Sequence, residues 1–248
     1  MFNLRVFSDY RSLVRGAAEA FFVAAAAAIK KKGLFTVVLS GGKAPQGLYG
    51  ELSQQAMRFP LQGALLQKTH FFWGDDRDVL PQGPQSNYGC ARRLFFSRLS
   101  LSQKNIHPIR LDCRGAEQAA VCYEREIRRF FGVKQGEFPR FDLVFLGLGQ
   151  DGHSASLFPG SGLLQECKRL VAAAYIDAVS TFRVSLTIPV FNNAAQVVFL
   201  VSGREKAGIL RNILKGHCPA HRYPARLIRP QQGRVFWFVD RASAVISD

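Results

Sequence analysis

The stretch FDLVFLGLGQDGHSASLFPG, residues 141–160, decides the fold. Its first half holds Leu143-Val144-Phe145-Leu146, apolar without alternation. That is the pattern of a strand covered on both faces, as in a parallel sheet. Its second half is a glycine-rich loop carrying Asp151 and His153. Open parallel sheets bind ligands beyond the carboxyl ends of their strands. Polar residues just after such a strand are therefore the first candidates for chemistry. Gly147, Gly149 and Gly152 match the spacing of the dinucleotide fingerprint, but the context excludes it. Pro159 and Gly160 interrupt what should be a long helix, and no acid ends a second strand about 20 residues on.

Outward from this stretch, further apolar runs at 34–39, 70–73, 196–201 and 235–239 read as strands, with 142–146 as the fifth. Segments of helical character at 46–57, 87–99, 117–131 and 205–214 separate them. This alternation predicts βαβ units and a mainly parallel sheet. No repeat or low-complexity linker divides the chain, so residues 1–248 read as one domain. The apolar run 17–29 holds Glu19 and precedes Lys30, Lys31 and Lys32. A membrane span needs about 20 apolar residues, and a signal peptide places its cations before the apolar core. The run predicts a buried helix ending at Gly33.

The chain has 248 residues, 48% of them apolar, enough to bury a sizeable core. Lys and Arg number 33 against 18 Asp and Glu, a formal charge of +15. Such a field steers anionic ligands. The cations are scattered, with a denser stretch at 204–234, and no RRM, KH or zinc-finger signature accompanies them. The expectation is a solvated basic surface with no specific nucleic-acid site. Five cysteines without a C-x-x-C spacing point to a reduced, cytoplasmic protein whose thiols act as small core residues. His217, Cys218 and His221 are interrupted by Pro219 and lack a second ligand pair, so no metal site is expected. No Gly-x-Ser-x-Gly elbow occurs.

Three more loops follow predicted strands. Ser40-Gly41-Gly42-Lys43-Ala44-Pro45 can turn its N–H groups and a helix N-terminus toward an anion. An ordinary strand-to-helix turn reads the same way. Asp75, Asp76, Arg77 and Asp78 place an arginine, well shaped for phosphate, among acids that can orient it or meet substrate hydroxyls. A surface salt-bridge cluster with Ser86 capping the next helix is the alternative. Lys206, after Ser202-Gly203, falls in a helix's first turn, where a cation is disfavoured unless a phosphate is near. His153 sits among small residues at a strand end, and an imidazole can accept and return a proton near neutrality.

These loops together resemble the 6-phosphogluconolactonase family. The matching pieces are LSGGKAP, FFWGDDRDV with SNY, FDLVFLGLGQDGHSASLFPG, RVSLTIPVFNNA, FLVSGREKAGIL and FWFVDRASA. The resemblance implies a Rossmann-like, doubly wound α/β sheet with helices on both faces, shared with glucosamine-6-phosphate deaminases. It implies hydrolysis of 6-phospho-D-glucono-1,5-lactone in the cytoplasm without metal or organic cofactor, by a monomer or homodimer. By position, His153 matches the family's catalytic base. Ser40, Gly41, Gly42, Arg77 and Lys206 match its phosphate-holding positions, and Arg183 an arginine near the substrate. Asp75 is expected to bind substrate and Asp151 to orient His153. The family's Ser-Thr-Pro is Lys43-Ala44-Pro45 here, so that Lys43 either adds a charge near the phosphate or points away from it. Its Asp-Glu-Arg is Asp75-Asp76-Arg77. The deaminases are the nearest rival, but read Ile-Ala-Phe-Asn-Glu-Pro after Asp-Gly-His, where this chain has residues 154–159 as SASLFP. A basic nucleic-acid-binding protein is the other rival, resting on charge alone.

Overall fold

The computed structural model describes residues 3–80, 83–111, 115–216 and 219–244. Two sheets organise them. Seven strands lie in the order β1 (Asn3–Phe7), β10 (Arg234–Asp240), β9 (Gln196–Val201), β6 (Leu143–Leu146), β2 (Phe35–Leu39), β3 (Thr69–Trp73) and β5 (Ile106–His107). Every ladder in this sheet is parallel. A second sheet joins β4 (Asp75–Arg77), β8 (Thr181–Leu186) and β7 (Val171–Ile176) in antiparallel register. The expected Rossmann-like, mainly parallel α/β sheet is what the chain forms.

From β2 the chain winds outward through β3 to β5; from β6 it winds the other way through β9 to β10. The order therefore reverses between β2 and β6. In such sheets the ligand crevice opens at that reversal. Asp142 pins the two strands in register: its Oδ2 accepts the Thr36 N–H at 2.8 Å and the Thr36 hydroxyl at 2.7 Å. Lys32 adds an ion pair to the same oxygen at 2.9 Å.

The five predicted strands are all present, and β2 and β6 are buried along their whole length. Helix α1 (Tyr10–Lys32) covers the predicted 17–29 and ends at Gly33, whose φ of 83° suits a residue without a β-carbon. It is amphipathic rather than wholly buried: Leu13, Ala17, Phe21 and Ala25 face the core while Val23 is exposed. It is the one described helix long and apolar enough to cross a membrane, and half of its apolar window is packed inside the fold. Phe21 meets Phe35 edge-on and Phe71 face-on, at 5.3 and 6.4 Å. Each fully buried ring of this kind contributes roughly 1.5–3 kcal/mol over exposure.

Helix α2 (Lys43–Arg58) begins three residues earlier than the periodicity predicts. Next come α3 (Pro60–Gln67), then α4 (Asn87–Leu94), which is shorter than the predicted 87–99 and passes into a 3-10 turn at Phe96–Arg98. Helices α5 (Gly115–Phe131) and α6 (Ile188–Asn192) precede α7 (Ala207–Lys215), which is entered through a 3-10 turn at Arg204–Lys206. Cys90 is buried, but Cys122 and Cys167 are exposed and so are not core residues. Cys113 and Cys218, like His217, lie outside the described residues.

Candidate active site

At the reversal point the chain turns sharply after β2 and after β6. Ser40, Gly41 and Gly42 leave β2; Gly147, Gly149 and His153 leave β6. Together with Asp75, Arg77 and Arg183 from the second sheet, they line a cavity of about 260 Å3. That volume suits one phosphorylated monosaccharide. A larger cavity of about 700 Å3 lies between α1 and the edge strand β1. It reaches Gln196 and Arg234, the first residues of β9 and β10, and holds none of the predicted site residues.

His153 is held on three sides. Its Nδ1 lies 2.5 Å from Asp151 Oδ1, which also accepts the His153 backbone N–H at 3.1 Å. The Phe158 ring stacks on the imidazole at 4.0 Å with 21° between planes. Gly149 closes the third side: a β-carbon there would lie 2.1 Å from His153 Nδ1 and 2.6 Å from Asp151 Oδ1. Burial alone would raise the Asp151 carboxyl, but hydrogen bonding and charge from His153 hold it below its ordinary value. An Nδ1–H donated to a carboxylate leaves Nε2 as the free lone pair. Ala155 adopts φ 50°, uncommon for a residue with a β-carbon, within the same loop.

The opposite wall is an anion cradle. Ser40 is 2% exposed, and its Oγ has no hydrogen-bond partner among the described residues. A buried hydroxyl without a partner costs about 1–3 kcal/mol, which an incoming acceptor removes. The Ser40 carbonyl is fixed by the Tyr49 hydroxyl at 2.5 Å. Gly42 has φ 101°, and a β-carbon on Gly41 would lie 2.0 Å from Asn87 Oδ1. The glycines thus admit both the turn and the close approach of Asn87. Asn87 in turn donates to the Asp75 carbonyl at 2.9 Å and to its carboxylate at 3.2 Å. The other Asp75 oxygen accepts the Ser156 hydroxyl at 2.7 Å.

Arg77 and Arg183 are register partners across β4 and β8. Arg77 Nη1 donates to the Gln85 carbonyl at 2.5 Å, while the Nε of each arginine is buried without a partner among the described residues. Burial lowers the Arg183 guanidinium, with Asp75 opposing and Arg77 reinforcing the shift. Asp76 is a scaffold: 1% exposed, it accepts the N–H groups of Arg77, Asn87 and Tyr88 and the Ser86 hydroxyl. Burial pushes its carboxyl up to about 6. The acids are therefore not a surface salt-bridge cluster, although Ser86 does cap α4 through the Gly89 N–H at 3.0 Å.

Two predicted residues stand apart from the cavity wall. Lys43 is exposed as the first residue of α2 and does not line the cavity. Lys206 does not line it either. Burial lowers its ammonium, and the charges of Glu205 and Asp151 oppose that, so it lies within electrostatic reach of the His153–Asp151 pair. It ends the 3-10 turn before α7 instead of lying in that helix's first turn. His221 is exposed. Sequence reasoning gives no role to Asn87, Phe158 or Val179, all of which line the cavity. The length of the DGHSASLFPG piece is the one signal that covers Phe158.

The chain matches the family model for glucosamine-6-phosphate isomerases/6-phosphogluconolactonase over residues 8–237. A 6-phosphogluconolactonase of Synechocystis sp. is 41% identical over 214 residues, 86% of this chain and 85% of that protein. The 6-phosphogluconolactonase of Homo sapiens is 37% identical over 246 residues, 97% of this chain and 92% of that protein. A solved 6-phosphogluconolactonase from Trypanosoma cruzi superposes with a TM-score of 0.86 at 26% identity, covering 100% of this chain and 98% of that one. With its sheet reversal, its glycine turns and these relatives in agreement, the chain belongs to the glucosamine-6-phosphate isomerase/6-phosphogluconolactonase family.

Proposed function

We propose that this protein hydrolyses 6-phospho-D-glucono-1,5-lactone to 6-phosphogluconate, with His153 as the general base. One observation carries the reading: a unit built for proton transfer and a cradle built for an anion face one cavity of sugar-phosphate size. The phosphate enters among Ser40 Oγ, the Gly41–Gly42 turn, Arg77 and Arg183. Lys206 and the basic surface add a longer-range pull on a dianion. Because the phosphate is remote from the reacting carbon, its binding energy serves to place the lactone carbonyl near the imidazole.

His153 Nε2 takes a proton from water as the oxygen attacks the lactone carbonyl carbon. The Nδ1–H donated to Asp151 stabilises the imidazolium that results. Collapse of the tetrahedral intermediate breaks the bond to the ring oxygen, and the imidazolium returns its proton there. The sum is lactone plus water giving the hydroxy acid. General acid–base catalysis of this kind contributes about 10²–10⁴ in rate. The compartment of this reaction is the cytoplasm.

The test is the rate of lactone loss above spontaneous hydrolysis, with wild type and His153→Ala compared directly. Wild type should exceed the spontaneous rate, and the variant should lose most of that excess while remaining folded. Near-full activity in His153→Ala would overturn the general-base assignment. Ammonia release from glucosamine 6-phosphate would move the reading to the other branch of the family.

A further inference from the structure

We infer that Phe158 is a positioning residue for His153, holding the imidazole in its working orientation and walling it off from a second cavity. This inference rests on the lactonase reading above. Three contacts define the ring's orientation: Asp151 at Nδ1, Gly149 along the Nδ1 edge, and Phe158 across one face. The first two act on one edge of the ring. A hydrogen bond to Nδ1 alone leaves the imidazole free to rock about the Nδ1–Asp151 axis. The flat face at 4.0 Å removes that motion. An aliphatic side chain lacks an extended planar surface and cannot do the same.

Phe158 also separates two spaces. It lines the catalytic cavity of about 260 Å3 and, with Asp151, a neighbouring one of about 640 Å3 bounded by Ser161, Tyr175 and Asp177. The ring is 6% exposed although it borders both. With a smaller side chain the two spaces join behind the imidazole. The hydrogen bond to Asp151, whose carboxylate already borders the second space, is then open to water on a further side and weakens. The anion cradle stands on β2, β4 and β8, whereas Phe158 stacks on His153 in the loop after β6. Loss of the ring should therefore fall on the chemical step and spare phosphate recognition.

The experiment measures kcat and KM for the phosphorylated lactone in wild type, Phe158→Leu and Phe158→Tyr, each checked for folding by circular dichroism. Phe158→Met replaces the leucine variant if that one does not fold. The expected result is a fall of about tenfold or more in kcat for the aliphatic variant, with KM within about twofold. Phe158→Tyr, which keeps the ring face, should restore kcat to within about threefold of wild type. An aliphatic variant with wild-type kcat, a loss confined to KM, or a tyrosine variant as slow as the aliphatic one overturns the inference and leaves the functional reading standing. A wild-type protein no faster than spontaneous hydrolysis removes both.

Discussion

Arg77 and Arg183 stand opposite one another in the β4–β8 ladder, each with a buried Nε that no group among the described residues accepts. Burial, and after it the charge of Arg77, disfavours the Arg183 guanidinium by more than the carboxylates of Asp75 and Asp76 restore. The free protein thus carries a strain that its ligand relieves. Arg183→Met keeps most of the side-chain volume and removes one charge. We expect the free variant to melt higher than wild type, by about 2–4 °C for each kcal/mol relieved. Its KM should rise by about tenfold to a hundredfold, the worth of a charge-assisted contact. Differential scanning calorimetry and steady-state kinetics on the same preparation check both signs.

Gly149 bears directly on the pair made by His153 and Asp151. Its φ is not in the left-handed region, so alanine fits the backbone and acts only through its methyl group. That methyl group needs the space of the imidazole. His153 is partly exposed and can swing away, so the cost should appear in catalysis more than in folding. Gly149→Ala should lower kcat by on the order of 10²-fold with only a small change in melting temperature. An unchanged kcat would show that the observed ring position is not the working one.

Asp151→Asn offers the ring an amide that can present either an acceptor or a donor. With the donor facing Nδ1, the proton sits on Nε2 and the base is lost. We expect kcat to fall by about 10²–10⁴ while KM for the phosphorylated lactone stays close to wild type. The measurement is kcat and KM across the working pH range.

A separate pH effect belongs to the far side of the sheet. His70 Nδ1 lies 3.1 Å from His107 Nε2, and His107 Nδ1 lies 2.7 Å from Glu126. Burial, helped by the charge of His107, lowers His70 to about 4. The unfolded chain then binds a proton near pH 6.5 that the folded chain refuses until about 4. Stability from this group is present above pH 6.5 and is lost as pH falls toward 4. Urea midpoints at pH 7.5 and pH 5 should separate in wild type and draw together in His70→Phe.

Much of the fold is legible because β2, β3, β6, β9 and β10 are short apolar runs that need cover on both faces. What escaped has physical reasons. Strand β1 is an edge whose side chains are mostly exposed, so its apolar residues carry no long pattern. Strand β4 reads as a charged loop because its residues are Asp75, Asp76 and Arg77. It becomes a strand only through pairing with β8, more than a hundred positions away. Arg183 enters the site by that pairing, which no local spacing reveals. Lys43 follows two glycines and reads as part of the cradle, yet the turn of α2 leaves it in solvent. Phe158 and Asn87 carry no chemical signature of their own. Their place comes from what they touch.

The register between β2 and β6 depends on Thr36 and Asp142, which are 106 positions apart. The two halves of the catalytic centre do not face one cavity until that distant closure is made. Helices such as α1 and α5 need no such closure, since their contacts are local and form early. On dilution from denaturant, helical signal should therefore return before turnover does, and the lag should lengthen in Asp142→Ala. Enzyme assay then becomes a clock for the last stage of assembly in this chain.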